Sequence, residues 1–189
     1  MMKINGPGES TILLLKIIKL LNKLNFPYAV IGAFAASFYG HVRASLDADA
    51  VFSFEGQNEK LDGFFESLKK EGLKVELRQG DISDPVRGVI NIQDKFSNSV
   101  DLLTGIRGMN PDLFKRAVKA SFLDAEIRIV CVEDFIAMKI YGGGPQDIED
   151  VKHVLALQKK KVKMPLLKQL TLEYGKKELS RLKQILKDI

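Results

Sequence analysis

Asp47 and Asp49 stand two residues apart in the run Arg43-x-Ser45-x-Asp47-x-Asp49, which leads into Val51-Phe52-Ser53-Phe54. The β-branched and aromatic residues that follow predict a strand, and a strand turns alternate side chains to the same face. Both carboxylates then point one way. Like charges on one face repel and raise each other's pKa, which is costly unless something offsets it. A divalent cation does so. Hard oxygen ligands suit Mg²⁺ (or Mn²⁺), which takes one or two carboxylates and completes its shell with substrate phosphates. Asp47 capping a turn beside a solvated Asp49 is the plainer alternative for the same spacing.

The preceding run favours the metal. Tyr28-Ala29-Val30-Ile31 reads as a short buried strand, Gly32-Ala33 as a tight turn, and Ala33 to Tyr39 as a buried helix that closes on Gly40. A small-residue turn that opens a helix presents free N–H groups and the positive end of a dipole to an anion. The order strand, small turn, helix, paired carboxylates puts a phosphate cradle next to a metal pair.

These motifs resemble the nucleotidyltransferase superfamily of the polymerase-beta type, closest to its AbiEii/AbiGii-toxin-like or minimal nucleotidyltransferase branch. Gly32-Ala33 matches the family's Gly-Gly or Gly-Ser turn, and Arg43-x-Ser45-x-Asp47-x-Asp49 its R-x-[ST]-x-D-x-D. Ser99-Val100-Asp101-Leu102-Leu103 matches the strand of the third carboxylate. Glu133 to Lys139, followed by Gly143-Gly144-Pro145-Gln146-Asp147-Ile148-Glu149-Asp150, is similar to a Lys-bearing helix and the turn and helix after it. The likeness runs over about residues 26–158. It departs from the family at Ala33, which adds a methyl group, and at Gly144, where the family often has Arg.

The resemblance implies transfer of a nucleoside monophosphate from an NTP to a hydroxyl acceptor. Asp47 and Asp49 would hold Mg²⁺ (or Mn²⁺), and Asp101 would complete a second metal site or accept a proton. Gly32, Ala33 and Ser45 would contact phosphate oxygens, and Arg43 and Lys139 would neutralise phosphate charge. Asp147 is either a helix cap or a site residue, and Asp150 either orients Lys139 or meets the acceptor. Arg43 pairing with an acid and Lys139 in solvent are the plainer readings. The acceptor is a small molecule, a tRNA 3′ end or a protein hydroxyl. The alternative is a non-catalytic nucleotide- or partner-binding module of a toxin–antitoxin pair.

The rest of the chain predicts an α/β (α+β) fold: a mixed sheet flanked by helices, with a C-terminal helical appendage. At 189 residues with 46% hydrophobic content, the chain can bury a sizeable core. The expected division is a nucleotidyltransferase domain over 1–158 and basic helices over 159–189 packed on it. Ser10 is the expected N-cap of a first helix. Strands are expected at 75–78, 88–93, 100–104 and 127–132, and a helix from Pro111 to about Ala120. Leu179, Leu182, Ile185, Leu186 and Ile189 stripe a final helix.

Charge is uneven. Residues 159–189 carry ten basic and three acidic side chains, while the remainder carries nineteen basic and twenty-one acidic. Such a tail is a solvated helix surface or an attraction for RNA such as tRNA. Tyr174 is the one aromatic residue among these lysines, so no platform for stacking bases exists there. The single Cys131 forbids an internal disulfide, and no run of roughly 20 apolar residues crosses a bilayer. The expected setting is cytoplasmic, with no membrane partner.

Overall fold

A computed structural model describes residues 3–81 and 83–188. Seven strands form one mixed sheet: β1 (Tyr28–Val30), β2 (Asp47–Phe52), β3 (Lys74–Gln79), β4 (Gly88–Gln93), β5 (Ser99–Leu103), β6 (Val118–Phe122) and β7 (Ala125–Ile129). Their spatial order is β3-β4-β5-β2-β1-β7-β6. Strand β2 runs parallel to β5 and antiparallel to β1, and β1 runs parallel to β7.

One sheet face is apolar throughout. Ala48, Ala50, Ile90, Ile92, Val100 and Leu102 are buried on it, against α1 (Ser10–Leu24) and α3 (Asn58–Lys70). Leu13, Ile17 and Leu21 recur at helical spacing on α1 and supply the opposing surface. Helix α2 (Gly32–Phe38) follows β1 directly and ends at Gly40, whose φ of +100° lets the chain turn back toward β2. Beyond β7 come α5 (Val132–Gly142), α6 (Pro145–Gln158), α7 (Met164–Tyr174) and α8 (Lys176–Asp188). Helix α7 packs on α5, burying Leu167 and Leu170, and α8 adds Leu182 and Ile185 to the same core. Arg181 of α8 donates to the Ile140 carbonyl at 2.7 Å, satisfying an open acceptor near the end of α5. Ile189 of the expected stripe lies outside the described residues.

Three expectations need correction. Ser10 is the first residue of α1 and caps nothing. Its Oγ donates to the Leu46 carbonyl at 2.6 Å and accepts from the Ser99 N–H at 3.1 Å, stitching the start of β2 to the start of β5. The helix expected from Pro111 to Ala120 is one short α4 (Leu113–Arg116), after which Ala117 turns extended and β6 begins. The β6–β7 hairpin turns at Leu123 with φ of +53°, a position where glycine or asparagine ordinarily signals the turn. Cys131 is buried as expected, but just beyond β7, at the N-cap of α5. Its thiol donates to Asp134 at 3.0 Å, and burial with the Asp134 charge pushes its pKa up to about 12. Asp134 in turn pairs with Arg116 through both oxygens, at 2.7 and 2.8 Å.

Candidate active site

The parallel pairing of β2 and β5 sets Asp49 directly beside Asp101 and Asp47 beside Ser99. Neighbouring residues in register share a face, and adjacent strands are about 4.8 Å apart. The three carboxylates therefore lie on the sheet face away from α1. The β4–β5 register extends the row, setting Asn91 opposite Asp101. Burial lifts the Asp49 pKa to about 6, the Asp101 and Asp47 charges add to the rise, and Lys139 and Arg43 oppose it. This is a carboxylate whose ionised form lacks compensation.

A divalent cation fits that need. Among the described residues no group of three or more His, Cys, Asp or Glu side chains forms a ready-made metal cage. Asp47 and Asp49 would be its protein ligands, with Asp101 beside them.

Gly32 opens α2 at the edge of this row with φ of +64°. A Cβ there would fall on the Asp49 carboxylate, so glycine is required twice, by conformation and by contact. Ala33 is buried in the first turn of α2, its methyl tolerated because φ is positive only at Gly32.

Asp150 is the hub of the adjoining charge cluster and is 0% exposed. Arg43 donates to both its oxygens, at 3.0 and 3.3 Å, and Lys139 reaches it at 2.9 Å. Lys139 also donates to Asp147 at 2.7 Å. Burial alone would raise the Asp150 pKa; hydrogen bonds from Lys139 and Arg43 outweigh it and hold the carboxyl below its usual range. Gln146 adds a donor at 3.3 Å. His41 Nε2 stands 3.4 Å from Asp150 Oδ1 without the alignment of a hydrogen bond, and its ring stacks on His153. Asp147 sits at the third position of α6, after Pro145, where it accepts from Lys139 and, at 3.4 Å, from the Gly144 N–H. It is not the cap itself. Arg43 thus pairs with an acid, though a buried one shared with Lys139.

Two residues of the site went unrecognised in the sequence. Asn91 Nδ2 donates to Asp101 Oδ1 at 2.6 Å and to Ser99 Oγ at 2.9 Å. The alternation Val89, Asn91, Gln93 was the available signal, since it turns Asn91 to the polar face of β4. Ser10, through its two bonds, fixes the level at which Asp47 enters the sheet. Arg43, Ser45 and Asp47 also line a cavity of about 430 Å³ whose other walls come from α1, α2, β6 and β7.

No family model and no curated protein matches the chain. Solved structures do. The solution structure of the antibiotic-resistance factor ANT(2'')-Ia is 14% identical, with a TM-score of 0.59 over 96% of this chain and 98% of that one. A Thermotoga maritima protein proposed to be a nucleotidyltransferase is 16% identical, with a TM-score of 0.56 over 80% of this chain and 96% of that one. The lincosamide antibiotic adenylyltransferase LnuA, solved with lincomycin, is 14% identical, with a TM-score of 0.51 over 81% and 99%. The described chain, a mixed seven-stranded sheet flanked by helices, has the nucleotidyltransferase fold.

Proposed function

We propose that this protein is a nucleotidyltransferase that moves a nucleoside monophosphate from an NTP to a hydroxyl acceptor with Mg²⁺ or Mn²⁺. The observation that carries the reading is the Asp49–Asp101 register pair, with Asp47 on the same face and Gly32 pressed against it. Likeness of fold to the lincosamide antibiotic adenylyltransferase LnuA supports it.

In this reading Asp47 and Asp49 would hold one cation, and Asp101 would supply a ligand for a second. When bound, they would offset the triphosphate's charge while the acceptor oxygen bonds to the α-phosphorus, in line with the breaking bond to the departing pyrophosphate, and the hydroxyl proton passes to solvent. The protein's own groups bind and orient. The Gly32 turn brings backbone N–H groups of α2, with Ser45, to the phosphate oxygens. Lys139 and Arg43 face the same anion, and Asp150 holds the two cations in one place before substrate arrives. Catalysis of this kind is mostly positioning and charge neutralisation.

A small-molecule acceptor is favoured over a tRNA 3′ end or a protein hydroxyl, since ANT(2'')-Ia has been solved with adenylyl-2''-tobramycin and LnuA with lincomycin. The AbiEii-like branch and a toxin–antitoxin setting rest on the Arg43-to-Asp49 and Gly143-to-Asp150 motifs. The test is incubation with each α-labelled NTP, Mg²⁺ and a cell extract. One acceptor pool becomes labelled with the wild-type protein and none with Asp49→Asn. Unlabelled pools with all four NTPs and either metal would sink the reading and favour a non-catalytic nucleotide-binding module.

A further inference from the structure

A second cavity, of about 480 Å³, lies where β2 and β5 end, at the far end of both strands from Asp47 and Ser99. The sheet register fixes its place. Asn91, Asp101 and Asp49 form one row on the carboxylate face. Past the strand ends the pairing continues. The Ser53 N–H donates to the Pro27 carbonyl at 2.9 Å, and the Arg87 N–H to the Gly105 carbonyl at 3.0 Å. Arg87, Gly105 and Ser53 therefore make a matching row on the same face, four residues further along. At about 3.3 Å per residue the two rows are roughly 13 Å apart. Val51 and Ala29 pair in the row between them, and both are 0% exposed. Packed protein thus closes the sheet face between this cavity and the carboxylates, and the two are separate sites.

Three cations line the cavity, Arg87, Lys115 and Arg128, against one carboxylate, Glu55. Lys115 already pairs with Asp112 at 2.7 Å. Among the described residues neither Arg87 nor Arg128 forms an ion pair. Arg128 is half-buried on β7, where a charge without a partner is costly. Arg87 is held in place: a Cβ at Gly105 would stand 3.2 Å from its Cδ, so its stem lies across that glycine. Ser53 Oγ accepts from the Glu55 N–H at 3.4 Å and keeps its own proton to donate. Ile106, Met109 and Phe114 supply apolar lining.

We propose that this cavity binds a small phosphomonoester with an apolar or aromatic body, apart from the site of nucleotidyl transfer. The proposal does not depend on the transfer reading. A phosphomonoester carries roughly −1.5 to −2 charges at neutral pH, which suits a lining of three cations and one carboxylate. Guanidinium forks grip phosphate oxygens in pairs, and two forks with a hydroxyl donor suit a group with three terminal oxygens. A monocarboxylate would leave one guanidinium without a partner. Inorganic phosphate would leave the apolar lining unfilled, in a volume that suits an organic molecule.

The test is calorimetry of the full chain with naphthyl phosphate, first alone and then with saturating Mg–ATP. One-site saturable binding is expected, weakened about tenfold or more by Arg87→Gln and by Arg128→Gln. Lys177→Gln, at an exposed position of α8, should leave it unchanged. Thermal midpoints stay near wild type; Arg87 is exposed, so its substitution reads binding even if Arg128→Gln loses stability. Naphthoate and inorganic phosphate should each bind about tenfold more weakly than naphthyl phosphate, and Mg–ATP should leave its affinity unchanged. Absent saturable binding, or equal affinity in wild type and both arginine variants, overturns the proposal. Displacement by Mg–ATP overturns it by placing the anion at the transfer site. Naphthoate or inorganic phosphate binding as tightly as the ester also overturns it, leaving a general oxyanion site. If Mg–ATP fails to bind while naphthyl phosphate binds through the two arginines, the transfer reading fails and this site stands.

Discussion

Gly32 and Asp49 share one small volume: the carboxylate of Asp49 occupies the space that a side chain at residue 32 would fill. The turn after β1 and the carboxylate-bearing strand β2 are therefore complementary at atomic contact. Gly32→Ala is expected to cost about 1–2 kcal/mol through its left-handed conformation alone. Displacement of Asp49 should add a loss of transfer activity larger than the loss of stability. Ala33→Gly, one residue on, should leave activity near wild type. Thermal midpoints and transfer rates of the two variants, taken side by side, check this.

The raised Asp49 pKa makes a prediction with a definite sign. Between the ordinary value of 3.8 and about 6, the folded metal-free protein binds more protons than the unfolded chain. Stability without metal therefore falls as pH rises through that window. Asp49→Asn removes the effect, so at pH above 6 the metal-free variant should be about 1–3 kcal/mol more stable than wild type, converging with it near the lower end of the window. Added Mg²⁺ or Mn²⁺ should raise the wild-type midpoint and leave the variant unmoved. Urea titrations at a series of pH values with EDTA give the result.

Asp150 behaves oppositely. Its depressed pKa supplies stability above the ordinary carboxylate range that is lost as pH falls through the folded value. Asp150→Asn strands Arg43 and Lys139 and should destabilise the protein by about 3–5 kcal/mol. An unchanged midpoint for this variant at neutral pH would show that the cluster contributes nothing.

Lys139→Ala should weaken nucleotide binding or turnover by about 1.5–3 kcal/mol, the scale of a hydrogen bond to a charged group. The positive charge of Lys139 that lowers the Asp49 pKa also repels a cation there, so metal affinity alone should hold or rise in the same variant. Calorimetry with Mg–ATP and with Mn²⁺ alone separates the two effects. Equal affinities in variant and wild type would assign Lys139 to the scaffold.

Asn91→Leu deletes the donor to Asp101 without shortening the strand's side chain much. Transfer should slow by about 1.5–3 kcal/mol, again the scale of a charge-assisted hydrogen bond. Nucleotide affinity should hold, since Asp47 and Asp49 are untouched. A matched loss in both quantities would mean that β4 itself has shifted.

The convergence of Asp47, Asp49, Asp101 and Gly32 was more legible in the sequence than the elements around them. Asp47 and Asp49 declare themselves by spacing, Gly32 by its place between a strand and a helix, and Asp101 by its apolar neighbours. Ser10 misled because serine before an apolar helical run ordinarily caps it, whereas here the hydroxyl serves two distant backbone groups. The β6–β7 hairpin was hidden because Leu123 adopts positive φ without glycine's signature, and because Leu113, Phe114 and Ala117 mimic the start of a longer helix. Asn91 is half legible. Alternation along β4 turns it to the polar face, but its partner Asp101 lies across a strand register, a tertiary fact that no local pattern carries.

The parallel alignment of β2 with β5 also has a consequence for how the chain acquires its site. Asp49 and Asp101 are adjacent in space but about fifty residues apart along the chain, and parallel pairing pays loop-closure entropy before it is rewarded. Helix α3 and the β3–β4 hairpin form from local contacts and sit within that span. The carboxylate row therefore assembles late, after the intervening segment has folded. A nascent chain released short of β5 would carry Asp47 and Asp49 without their neighbour, and would bind metal weakly or not at all until the crossover closed.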